Sequence, residues 1–197
     1  MQLVERNEIL RLSEYETVRE HFRARVIAEK KTRRIHLGEK ISGVFESHDT
    51  VLMQIQEMLR TERISREAAI SHEIETYNQL VPGKDELSLT AMIEIDEREE
   101  REKFLVDATG IEKTFSVVVT TPNGEEKCTG VWEEARVLED RASAVLYLKF
   151  PLTAAAAEAM RTGKAPATLM VDHAAYKARA EIAPATLTSL AEDLREG

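Results

Sequence analysis

The 197-residue sequence holds a single cysteine, a single tryptophan, five prolines and eight glycines. With Cys128 alone, one copy of the chain can build no disulfide, no CxxC pair, no iron–sulfur cluster of its own and no cysteine-rich zinc site. So little glycine and proline argues against a fibrous or low-complexity chain. Long apolar runs are missing too. The opening MQLVERNEILRLSEYE is charged throughout, without the about 7–15 apolar residues of an export signal, and nothing approaches the ~20 residues of a membrane span. The expectation is a cytoplasmic protein with no membrane contact. The sequence also lacks GxGxxG, GxxxxGK[ST] and GxSxG, so no phosphate-cradling loop or nucleophile elbow is visible.

What is present is a globular composition, 43% apolar and 32% charged, with 27 basic against 36 acidic residues and a net charge of −9. That balance, with few aromatics, disfavours nucleic acid as a partner. Apolar residues at three- and four-residue spacings predict helices over 3–30, with a break near Leu12 because Ser13 and Glu16 match a capping box. Residues 33–46 change period and predict a short hairpin turning at Gly38. Helices follow at 49–64, capped by Asp49 or Thr50, and at 65–80. Residues 87–95 alternate as a strand, 96–110 form an acid-rich helix, and Pro122-Asn123-Gly124 joins strands 115–120 and 127–131. Strand 144–150, helix 153–162, strands 167–172 and 176–182 and helix 184–195 complete the chain. Without a regular βαβ alternation, the expected class is α+β, a mainly antiparallel sheet in the C-terminal half packed against N-terminal helices. A single domain over 1–197 is expected, with 81–86 as the place where a subdivision would fall.

Candidate chemistry centres on the 49–64 helix. Continued at ~100° per residue, it sets Glu62 among Val51, Ile55 and Leu59, which implies either a buried carboxylate paired with Arg23, Arg25 or Arg34, or a functional base. Arg34, Glu46, Gln54, Glu57 and Glu62 form the candidate pocket. A metal ion is a further option, with His36, Glu39, Glu46, Glu62 and His173 as oxygen and nitrogen ligands, although no HxH, HxxxH or ExxH spacing supports one. His173 after Asp172 also suits plain turn chemistry, and Cys128 reads as structural. Seven basic residues between Arg19 and Arg34 suggest a surface for an acidic partner or for the 94–102 acid cluster.

The string RRIHLGEKISGVFESHDTVLMQIQEMLRTERI, with YNQLVP, LTAMIEI and VDHAAY, resembles the bacterial DUF3501 family of unknown function over almost the whole chain. The resemblance implies no activity. It implies a context, a rubrerythrin-like protein or an iron–sulfur oxidoreductase as partner. The expected function is therefore an accessory or binding protein beside a redox system, and the alternative a metal-dependent enzyme with a carboxylate/His centre; a homodimer is a third option.

Overall fold

The computed structural model describes residues 1–132 and 140–196. A 3-10 turn (Arg6–Glu8) leads into α1 (Leu12–Thr32), the hairpin β1 (Arg34–Leu37) and β2 (Ile41–Phe45), then α2 (His48–Thr61) and α3 (Glu67–Asn78). Next come β3 (Glu86–Ile93), α4 (Arg98–Asp107), a second 3-10 turn (Ile111–Thr114), β4 (Phe115–Thr121), β5 (Gly124–Thr129) and β6 (Val131–Trp132). The chain ends with β7 (Val145–Pro151), α5 (Ala154–Arg161), β8 (Ala167–His173), β9 (Tyr176–Glu181) and α6 (Pro184–Glu196). It is an α+β fold.

The strands form two antiparallel sheets, one of order β1-β2-β3-β7-β6 and one of order β5-β4-β8-β9. The N-terminal hairpin is thus no appendage: it extends the sheet that holds β3 and β7, through pairs such as Val44 with Thr90 and Thr90 with Tyr147. Residues 127–131, expected as one strand, divide between the sheets at Gly130, where a Cβ would crowd the Phe150 ring and the Phe115 carbonyl. Only a glycine lets the chain cross there without a shift.

Alternation on β3 determines what each face of the first sheet does. Leu87, Leu89, Ala91 and Ile93 join Phe45, Phe115, Val117, Phe150 and Leu169 in the larger core, which draws on both sheets and on α4, α5 and α6. Ser88 and Thr90 face the other way, with Tyr147 beside them in register. On that side Val51, Ile55 and Leu59 of α2 meet Ile70 and Ile74 of α3, Leu80, Val81 and the N-terminal Val4 and Ile9 in a second core, and Tyr147 packs against it. Burying each such side chain is worth about 1.5–3 kcal/mol.

Two expected boundaries move. The N-terminal segment is a 3-10 turn followed by one unbroken α1, closed at its start by the Arg11 amide donating to Glu14 rather than by Ser13 and Glu16. α2 begins at His48, two residues earlier than a cap at Asp49 would place it. Its cap is Ser47, whose hydroxyl accepts from the Thr50 amide at 3.3 Å while Thr50 Oγ1 accepts from the Ser47 amide at 2.8 Å. It also ends earlier. The Ile64 amide donates to the Leu59 carbonyl at 2.9 Å and the Arg63 amide to that of Arg60 at 3.3 Å, with Arg63 left-handed at φ 52°. This is a Schellman ending that uses arginine where glycine is usual.

Candidate functional site

Glu46 sits where β2 passes into α2, one residue before the helix cap, and is 3% exposed. Its backbone amide donates to the Ser88 carbonyl on β3, which fixes the residue to the sheet. Its carboxylate lies in the seam between α2 and the polar side of β3. Thr50 Oγ1 donates to Oε2 at 2.5 Å, Gln54 Nε2 donates to Oε2 at 3.2 Å, and Thr90 Oγ1 donates to Oε1 at 2.6 Å. Position at the N-terminus of a 14-residue helix adds a favourable dipole. Among the described residues no Lys, Arg or His forms an ion pair with it. Three neutral donors occupy a group with about four lone-pair positions.

Arg34 lies on β1 opposite Val44, so it shares the sheet face of Ser42, Val44 and Glu46. Its guanidinium donates to Ser42 Oγ at 3.2 Å, and among the described residues it makes no ion pair. An unbalanced cation and an unbalanced anion therefore flank Val44 on one face. Gln54, half-buried, reaches the buried Glu46 from α2.

Glu57 is one turn beyond Gln54 but faces α1. Arg19 grips it with two hydrogen bonds, Nε to Oε1 at 2.7 Å and an Nη to Oε2 at 3.0 Å, while the buried Tyr15 hydroxyl donates to Oε1 at 2.8 Å and Arg60 adds a third cationic contact. The Arg19 hydrogen bonds dominate and hold the Glu57 carboxyl down at about 2. Burial, with the Glu57 charge beside it, pushes the Tyr15 phenol well above its usual range. The network ties α1 to α2.

The structure therefore joins Glu46 to Gln54, sets Arg34 on the neighbouring strand and turns Glu57 away. Glu62 departs from expectation altogether. Because α2 stops at Thr61, Glu62 is the exposed C-cap residue and cannot project into the apolar face, and neither the buried-pair reading nor the buried-base reading survives. The five proposed metal ligands are dispersed: His36 exposed on β1, Glu39 exposed in the hairpin turn, Glu46 in the seam, Glu62 beyond α2, and His173 at the end of β8. Among the described residues no three His, Cys, Asp or Glu side chains are grouped so as to hold a metal ion. His173 does turn chemistry, its Nδ1 accepting from the Ala175 amide at 3.2 Å.

Three of the seven basic residues of the 19–34 segment are committed within the chain. Arg19 holds Glu57, Arg25 holds Asp49, and the buried Arg33 holds Asp193 of α6 and Glu29. The 94–102 acids are met from elsewhere, by Lys40 on Glu100 and Arg141 on Glu102. The expected pairing between the two segments does not form, because each finds a partner closer in the fold.

Comparison with known proteins follows the same lines. The family described as protein of unknown function, DUF3501, matches residues 3–194. The chain belongs to the DUF3501 family. A similar solved structure is that of a novel protein of unknown function from Burkholderia pseudomallei, 34% identical, covering 98% of this chain and 100% of that one with a TM-score of 0.90. Among curated proteins nothing matches. Among the described residues of this DUF3501 chain, no helix is long and apolar enough to cross a membrane.

Sequence reasoning missed Thr50 and Thr90 as partners of Glu46, and Tyr15 and Arg19 as partners of Glu57. Thr50 was readable once Ser47 was taken as the cap, since it then follows Glu46 by one turn. Thr90 was not, because it depends on the β2–β3 register.

Proposed function

We propose that this DUF3501 protein is an accessory binding protein that holds a small polar ligand against the sheet face bearing Arg34, Glu46 and Gln54. One observation carries the reading: an unbalanced guanidinium and an unbalanced carboxylate lie on one sheet face, separated by Val44. Unbalanced charges of opposite sign suit a ligand with an N–H donor at one end and an anionic group at the other, as in an amino acid or short peptide.

Thermal-shift titration with the free amino acids and simple dipeptides tests this, because a ligand that binds only the folded state raises the melting temperature by mass action. The expected result is stabilisation by one class of compound, lost in Arg34→Ala and in Glu46→Gln and kept in Glu62→Gln. No shift with any compound, or a shift that persists in both site variants, overturns it. The redox context belongs to the same proposal. A rubrerythrin-like protein or an iron–sulfur oxidoreductase is the partner for which the family resemblance speaks, and affinity capture from cells expressing the neighbouring genes should recover one of them; recovery of neither removes that part.

A further inference from the structure

α1 is 21 residues long, yet only Tyr15 and Val26 on it are fully buried. One uncovered flank is apolar at its centre. Val18 is 43% exposed, Leu10 just before the helix is 38% exposed, and with Phe22 and Leu52 they line a groove of about 210 Å3 between α1 and α2. At ~100° per residue Glu14, Val18, His21 and Arg25 fall within one narrow stripe along this flank. Its charges are ordered. The exposed carboxylate Glu14 lies at its N-terminal end and the exposed cation Arg25 at its C-terminal end, while Glu16, Glu20, Arg23 and Lys31 fall on other faces of the helix.

A two-fold interface brings the same patch together from both sides and so requires a surface complementary to itself. This stripe meets that condition when two copies run antiparallel. With the axis near Arg19–Glu20, Glu14 of one copy faces Arg25 of the other at both ends, and Val18 faces His21 and Phe22 in the middle. Arg25 already bonds Asp49 and remains 55% exposed, so its guanidinium is held in place with donors to spare.

We infer that α1 is the dimerisation helix of this protein, and that its occupant is α1 of a second copy in antiparallel register. The apolar centre supplies the attraction, and the ends supply direction, since a parallel pairing sets Glu14 against Glu14 and Arg25 against Arg25.

Sedimentation velocity on the full-length chain across the micromolar range tests the interface. The expected result is a concentration-dependent dimer for the wild type. Val18→Glu should weaken it at least ~10-fold with an unchanged far-ultraviolet circular dichroism spectrum, and Val106→Glu, the same chemistry at a 55% exposed site on α4, should not. Glu14→Lys should weaken the dimer, and Glu14→Lys with Arg25→Glu should recover it. A wild type that stays monomeric throughout, a dimer indifferent to Val18→Glu, equal weakening by the two valine variants, or no recovery in the double charge swap each overturns the inference.

Discussion

Glu46 is a carboxylate held by neutral groups alone, and its substitutions should separate hydrogen bonding from charge. Glu46→Ala leaves Thr50, Gln54 and Thr90 facing a void, and the expected loss is about 1–3 kcal/mol in urea melts. Glu46→Gln keeps an acceptor oxygen and should cost less. Glu62→Gln, at an exposed cap, should stay within about 0.5 kcal/mol of wild type. The contrast between Glu46 and Glu62 shows what residue-level reading can and cannot see. A 3.6-residue period identifies a helical face but not where the helix stops, and α2 stops at an arginine in a left-handed conformation, which carries no glycine to announce it. Cys128 was legible: burial pushes its thiol up, so alkylation should track global unfolding and not proceed in the native state.

Glu57 gives acid sensitivity a specific origin. Its carboxyl titrates at about 2 in the folded chain against 4.5 for the free group. A depressed folded value means stability that is fully present above pH 4.5 and is lost as pH falls toward about 2, because the unfolded chain takes up the proton first. Glu57→Gln should therefore flatten the acid limb of the stability curve in that interval, and acid melts of the two proteins compare it directly.

Among elements, the ending of α2 and the β1–β2 turn are the places where backbone conformation matters most. A β-branched side chain tolerates positive φ poorly, so Arg63→Val should cost about 1–2 kcal/mol, whereas Arg63→Gly should be neutral or stabilising by thermal melting. Gly38 has φ 71°, and a Cβ there would strike the Tyr176 hydroxyl, which donates to the Leu37 carbonyl at 2.8 Å and accepts from the Lys40 amide at 3.2 Å. That hydroxyl links the tip of one sheet to the edge of the other. The individual helices and strands were largely visible in periodicity and turn residues, because those signals are local. The partition of strands between two sheets was not, because it rests on Gly130 and on pairings such as β3 with β7 that join residues far apart in sequence.

At the scale of the molecule, the net charge of −9 hides local pairing, in which Arg19, Arg25 and the buried Arg33 are each committed to a carboxylate on another element. The family and the α+β class were legible because a long specific string and a lack of βαβ alternation both survive without coordinates. The seam around Glu46 was legible only in part, since one of its three donors comes from across the sheet.

The sheet order also bears on how the chain emerges during synthesis. β3 pairs with β2 as soon as both exist, but its other edge waits for β7, and the whole of β4 and β5 is made in between. Until Val145–Pro151 appears, a nascent chain therefore carries an open strand edge whose final neighbour has not been translated, a state prone to pairing with other chains. A fragment ending at Gly130 should accordingly be found in the insoluble fraction on expression, while co-expression with the remaining segment should return part of it to solution.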